Sequence, residues 1–423
     1  MIADIEIENY KSLKKISLSL GRVNVFVGEN GAGKSNILEA IALAGAAAAK
    51  KLDNEFLASR GVRVSASGLM LSALPGTSRK KDISLKFRTV DDESAGIKLK
   101  VEGKNYPAWS AETDLHSLSV RDSDIKDHPF VLGAMDFAKD PGADKDLVVN
   151  ELRKLAVKIE DAAKKLDRKE KVKIELFSDT NSLLERFIMN RAVEGAKILS
   201  ELSRFIIYSP ENTALRNPLA EGQILPLGIN GEGLIKLVEV MLEENGKEVI
   251  AGLNKYLSLL GWFRGLRFSN KETISSESFV IEVLDKYIKR RGVGLDLKDT
   301  NEGFLFLLFY FVLFSSDLTP DFFAIDNIDA SLNPKLCSAL TKELCGLALQ
   351  HEKQVILTTH NPATLDGLNL DDDEQRLFVI SRDLDGCTQV RRIKKQKQNS
   401  NRPSPKLSEA FLRGALGGLP VNF

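Results

Sequence analysis

The residues with the plainest chemical purpose are Gly28-Glu29-Asn30-Gly31-Ala32-Gly33-Lys34-Ser35, which fit the pattern G-x-x-x-x-G-K-[ST]. Glycines at these spacings let successive backbone N–H groups wrap phosphate oxygens, and the start of the following helix adds partial positive charge. Lys34 is placed to reach the terminal phosphates and Ser35 to ligate Mg2+. The flanking chain supplies the context such a loop needs. Val23-Asn24-Val25-Phe26-Val27 is a β-rich run ending at glycine, and from Ser35 the apolar residues Ile37, Leu38, Ile41 and Leu43 follow a helical pattern. ATP and Mg2+ are therefore the expected ligands. Asn30, Gly31, Ala32, Gly33, Lys34, Ser35 and Asn36 would line the nucleotide.

A phosphate loop of this kind works with a metal-facing carboxylate at the end of a neighbouring buried strand. Phe322-Phe323-Ala324-Ile325-Asp326 offers one. An aspartate after four apolar residues is commonplace, and its weight comes from what surrounds it. Asn301-Glu302-Gly303 opens a helix upstream, Ser331-Leu332-Asn333-Pro334 follows, and an apolar strand ends in Thr358-Thr359-His360-Asn361-Pro362.

Together, NYKSLKKISL with VNVFVGENGAGKSNILEAI, then IDNIDASLNP, then VILTTHNP, resemble the ABC-type ATPases of the SMC, RecF and OLD group. The resembling segments fall at roughly residues 1 to 50 and 300 to 365, in the order of that group's split arrangement. The resemblance implies an α/β fold: a split ABC-type P-loop head with a mixed sheet, in which two copies sandwich two nucleotides. It implies Asp326 as the Walker B metal carboxylate, Ser331 to Asn333 as the D-loop, and His360 as the switch histidine near the γ-phosphate. Asn301 and Gly303 would belong to a degenerate signature acting on the partner's ATP. Standing alone, His360 would read as a structural histidine; its place in this series favours the phosphate sensor.

Two departures stand out. The group places a glutamate directly after the Walker B aspartate, where it activates the attacking water. This chain has Asn327, an amide that can orient water but not take its proton. Asp329, two residues on, is the candidate substitute, although its position turns it toward another direction. The expected Q-loop glutamine is also missing between the first two motifs. The first glutamine is Gln223, late for the role, and the Q-loop stays unassigned. Tight ATP binding with slow hydrolysis is the resulting expectation.

The OLD-type relatives carry a Toprim nuclease, and the stretch after His360 is too short for one. Four histidines (His116, His128, His351 and His360) and three cysteines (Cys337, Cys345 and Cys387) form no zinc or HNH-type cluster. Any nuclease would be a separate polypeptide, with an HNH type suspected. The resemblance is nearest to the ATPase subunit of Septu-type antiphage systems. The rivals are a RecF- or SMC-like DNA repair ATPase and the sensor ATPase of a toxin-releasing system.

These motifs require a frame. The 423 residues carry 59 Lys+Arg against 59 Asp+Glu, and 43% are hydrophobic, which fits an ordinary globular chain rather than a wholly basic nucleic-acid coat. MIADIEIENY carries no secretory pattern, and the longest apolar run, Phe304 to Phe314, is short for a bilayer span. A cytoplasmic protein with no membrane contact is expected. Residues 1–140 would form the N-terminal half of the head, with antiparallel strands around Ile83–Phe87 and Ile97–Val101. Residues 141–205 read as a helical insertion, either protruding arms or amphipathic helices packed on their own domain. Residues 206–390 would complete the head, its βαβ rhythm (Phe322–Ile325, helix, Val355–Thr359) implying a parallel sheet. Residues 391–423 read as a basic linker and an apolar tail. The linker is either a DNA contact or plain solvated chain, and the tail from Leu407 would dock on a partner or neighbouring subunit without affecting nucleotide binding. The acidic run Asp371–Glu374 reads as a solvated loop rather than a metal site.

Overall fold

Residues 23 to 27 are buried at every position, as befits a strand flanked on both edges and both faces. The computed structural model describes residues 1–75, 82–91, 94–102, 108–116, 197–217, 222–273, 276–288, 293–394 and 406–418. Its strands are β1 (Ile2–Tyr10), β2 (Leu13–Ser19), β3 (Val23–Val27), β4 (Asp82–Thr89), β5 (Ser94–Glu102), β6 (Ala108–His116) and β7 (Ile207–Tyr208), then β8 (Phe263–Thr273), β9 (Ser276–Asp285), β10 (Leu295–Asp296), β11 (Phe322–Ile325), β12 (Gln354–Thr359), β13 (Gln375–Arg382) and β14 (Thr388–Ile393).

Six of them form the central sheet in the order β14-β13-β3-β12-β11-β7. β13, β3, β12, β11 and β7 run parallel, and β14 closes one edge antiparallel. The mixed sheet and split head expected from the motifs are therefore present. β3 from the N-terminal part is inserted between β13 and β12 from the C-terminal part, so distant stretches of the sequence build one sheet.

Period-two alternation divides the core. Val23, Val25, Val27, Phe323, Ile325, Val355 and Leu357 face helices Leu234–Leu257, Glu302–Ser315 and Pro334–Gln350. Phe26, Phe322, Ala324, Ile356 and Phe378 face helix Lys34–Ala48 and a second, antiparallel sheet of order β2-β1-β4-β5-β6. The pieces expected around Ile83 and Ile97 lie in β4 and β5 of that sheet. Its outer face is wet, with cross-strand pairs Glu8–Lys15, Glu6–Lys86 and Glu112–Lys100. A third, small sheet, β10-β9-β8, occupies the stretch before residue 299, which carried no clear pattern in the sequence.

Phe304 to Phe314 are all buried, because helix Glu302–Ser315 packs between its two neighbouring helices with no free face. Among the described residues no helix is long and apolar enough to cross a membrane. The helical insertion lies outside the described residues except for its last part, where Lys197–Ser203 is a helix. The final segment departs from the linker reading. Arg391 and Arg392 lie within β14, paired to Val379 and Phe378. Helix Leu407–Leu412 packs on this chain's own head, with Phe411 only 5% exposed.

Candidate nucleotide site

The phosphate loop leaves the C-terminal end of β3, where β12 and β13 flank it, the position at which parallel α/β sheets bind ligands. Helix Lys34–Ala48 begins directly after Gly33, whose φ of 109° lies in the left-handed region. The Lys34 ammonium donates to the carbonyls of Gly28 (2.9 Å) and Glu29 (3.0 Å), folding the side chain back across the loop. Burial lowers its pKa to about 8, against the opposing pull of Asp326, Asp329 and Glu29. The loop is pinned from outside. Asn36 Nδ2 donates to Ser12 Oγ (2.8 Å), Ser12 Oγ shares a hydrogen bond with Thr388 Oγ1 (2.7 Å), and Thr388 Oγ1 donates to the Ala32 carbonyl (2.9 Å).

Asp326 follows β11 and meets the loop directly: Ser35 Oγ donates to its Oδ2 at 3.1 Å. Hydroxyl and carboxylate are hard oxygen donors close enough to share one small cation, and Mg2+ is usually held by one or two such groups plus the phosphates of its nucleotide. These two residues therefore fit the metal the motif implies. Among the described residues no cluster of three or more His, Cys, Asp or Glu side chains could hold a metal without a nucleotide. The acidic run does not form one either, because Asp373 pairs with Arg376 and Arg392.

β12 supplies two threonines that the motif reading left without a role. Thr358 Oγ1 donates to Asp326 Oδ1 and accepts from Asn327 N–H (2.9 Å). Thr359 Oγ1 donates to Asp329 Oδ1 at 2.6 Å, and the His360 N–H reaches the same oxygen at 3.3 Å. Asp329 is thus turned back onto the end of β12. Asn327 is exposed with φ 57°, a left-handed conformation that asparagine tolerates better than glutamate. Burial and the neighbouring Lys34 hold the His360 imidazole below the ordinary pKa, which favours the neutral ring.

The second cluster, Asn301, Gly303 and Ser331, is brought together as a unit. Asn301 Oδ1 caps helix Glu302–Ser315 by accepting from Phe304 N–H at 2.9 Å. Ser331 Oγ donates to Glu302 Oε1 at 2.6 Å, joining the segment after β11 to that helix start. A Cβ on Gly303 would meet nothing closer than 3.7 Å, so packing within the chain does not demand glycine there.

One further cluster lay beyond sequence reasoning. Glu39, 1% exposed on the phosphate-loop helix, accepts from Tyr10 Oη (3.2 Å), Arg63 Nε (2.6 Å) and Lys11 Nζ. A glutamate within an alanine-rich helix gives no signal of burial, and Arg63 lies in an irregular stretch. Gln223 is exposed in the loop before helix Leu234–Leu257.

The family model described as "AAA domain, putative AbiEii toxin, Type IV TA system" matches residues 23–366. No curated protein matches the chain. Among solved structures, an SMC head bound to the C-winged helix domain of ScpA is 14% identical, with a TM-score of 0.53 over 93% of this chain and 98% of that one. An SMC head domain from Thermotoga maritima is 14% identical, with a TM-score of 0.44 over 93% and 99%. An Smc head with a coiled coil and joint from Pyrococcus yayanosii is 15% identical, with a TM-score of 0.47 over 98% and 99%. The first of these shows a shared fold, the ABC-type head.

Proposed function

Because this chain belongs to the AAA domain family that matches it and folds as an SMC-type P-loop ATPase head, we propose that it is the ATP-binding subunit of a prokaryotic antiphage complex, using ATP to assemble or gate a separately encoded nuclease. One observation carries the reading. Asn327, with a left-handed backbone, follows Asp326 where the resembling group has its water-activating glutamate, while Ser35 and Asp326 lie within hydrogen-bond distance, as a shared metal would need. Such a site binds nucleotide well and turns it over slowly.

On binding, backbone N–H groups of Asn30 to Ser35 and the start of helix Lys34–Ala48 receive the phosphates. Lys34 exchanges its two carbonyl partners for phosphate oxygens. Ser35 and Asp326 would hold Mg2+, which would supply positive charge against the phosphates. His360 senses the γ-phosphate from the end of β12. Asn327 orients a water without accepting its proton, and Asp329, already bonded to Thr359 and His360, does not replace it. A second copy closes the site through Asn301, Gly303 and Ser331; packing within the chain does not require a glycine at 303, which agrees with a role toward a neighbour. The SMC head of similar fold is itself bound to a partner protein, which agrees with a head that carries other subunits.

The family description names a toxin and a toxin–antitoxin system, which favours a toxin-releasing sensor ATPase as the second reading. A RecF-like repair motor needs brisk DNA-stimulated hydrolysis, and Asn327 weighs against it. Co-expression with the adjacent genes separates these readings. A stable complex with an HNH nuclease whose assembly or activity responds to ATP supports the first. Capture of a small toxin released by ATP supports the second and overturns the first.

A further inference from the structure

The described tail, residues 406–418, is fixed at one end to the turn that follows His360 and at the other runs beside the phosphate loop. At its start, Ser408 uses both donors on one carboxylate: its N–H reaches Asp366 Oδ1 at 2.9 Å and its Oγ reaches Asp366 Oδ2 at 2.7 Å. Asp366 belongs to the 3-10 turn Pro362–Gly367, which directly follows the His360 segment. In the middle, Phe411 is buried, with Leu407 and Leu416 packed on the same core. The Arg391 guanidinium of β14 then donates to the Leu416 carbonyl.

At the end lies Gly418, φ 79°, where a Cβ would stand 2.5 Å from Val379 Cγ1 and 3.7 Å from the Cα of Gly28. The chain therefore passes beside the first residue of the phosphate loop, and at this positive φ, against Val379, a side chain would not fit without displacing the segment. Gly28 has no slack on its other side, because a Cβ on it would lie 2.0 Å from the Ile380 carbonyl oxygen. The Gly28 carbonyl also accepts from the Lys34 ammonium. Whatever confines Gly28 confines a group that meets the phosphates.

We infer that residues 406–418 are a strap that positions the nucleotide site from within the same chain, holding the phosphate loop at Gly28 and the His360 turn at Asp366. A pre-shaped loop binds nucleotide without first losing conformational freedom, so an attached strap raises affinity for ATP. The strap acts on the nucleotide-binding reading given above and assigns the tail a role in binding rather than in docking on a partner. It contains no group that touches nucleotide, so its residues are positioning residues.

The experiment uses the full-length chain and three variants. Gly418→Val drives a branched side chain into Val379 and lifts the strap from Gly28. Ser408→Ala removes the hydroxyl donor to Asp366 Oδ2 and leaves the helix start intact. Arg413→Ala alters an exposed tail residue away from both contacts. Titration with a fluorescent ATP analogue is paired with amide hydrogen exchange over residues 26–36 and 406–418, without nucleotide. The first two variants are expected to expose the strap, speed exchange in the phosphate loop and weaken binding about tenfold, while Arg413→Ala binds as wild type. A strap released in either variant, with phosphate-loop exchange and affinity both unchanged, overturns the inference. Failure of the wild-type chain to bind the analogue counts against the nucleotide-binding reading instead, and the exchange comparison still decides whether the strap confines the loop.

Discussion

Replacing Asn327 with glutamate puts the slow-hydrolysis account under direct strain, because it restores the missing base and changes little else. The backbone N–H of residue 327 donates to Thr358 Oγ1 whatever the side chain, so the local link to Asp326 survives. The cost is conformational. At φ 57° a residue other than glycine, asparagine or aspartate is strained by about 1–2 kcal/mol, and Asn327→Glu should lower unfolding stability by an amount of that order. The gain is chemical: a carboxylate positioned to take a proton from water is worth about 10²- to 10⁴-fold in rate. Even if the full strain were expressed as misplacement of the base, about 1–2 kcal/mol would remove only about 0.7–1.5 decades of that gain. Single-turnover hydrolysis with saturating ATP and Mg2+ is therefore expected to rise at least about threefold over wild type. Lys34→Ala in the same background should abolish the gain. A glutamate variant that binds ATP normally and hydrolyses at the wild-type rate would refute the reasoning, as would brisk hydrolysis by the wild-type chain that Lys34→Ala removes.

Four other expectations follow from particular contacts. Asp326→Asn keeps a group able to bond Ser35 and Thr358 but loses the metal charge, so ATP affinity should lose its Mg2+ dependence while metal-free binding changes little; isothermal titration with and without Mg2+ reads this. Glu39→Ala strips the buried partner from Tyr10, Lys11 and Arg63 and should cost about 3–5 kcal/mol in urea unfolding, with Glu39→Gln costing less. Lys353 is 1% exposed, and burial holds its ammonium below the ordinary pKa. Its charging cost is present at low pH and relieved as pH rises from the folded toward the unfolded pKa, so stability should climb with pH in the alkaline range in wild type and less so in Lys353→Met. Gly303→Ala should leave the melting temperature unchanged, since the added methyl meets only ordinary contacts, yet weaken ATP-dependent self-association in analytical ultracentrifugation.

The parts of the fold readable in the sequence are those where one pattern serves one purpose. The Gly28–Ser35 loop needs glycines for backbone reasons and sits between a β-rich run and a helical repeat, so loop, strand and helix all declare themselves. β11 and β12, buried on every side, read as short apolar runs, and alternation marked β1, β4 and β5. What stayed hidden depends on long-range meetings. Thr358 and Thr359 are unremarkable strand residues until β12 sets them beside Asp326 and Asp329. Glu39 has the look of a solvated helix position, yet three donors from elsewhere bury it. Arg391 and Arg392 read as linker because basic residues mark solvent, but an edge strand exposes half its side chains and accepts them. The tail was readable as apolar enough to dock; only the contacts of Ser408, Phe411 and Gly418 reveal that the surface it docks on belongs to its own chain.

The central claim is that ATP acts here chiefly as an assembly ligand. The most direct test is the solution mass of the purified chain by light scattering, with and without saturating ATP and Mg2+, alongside Lys34→Ala. The account predicts that ATP doubles the mass of the wild-type unit, that the doubled species persists for many minutes because turnover is slow, and that Lys34→Ala shows no change. A wild-type mass that stays the same when bound ATP is measured in the same sample would contradict it.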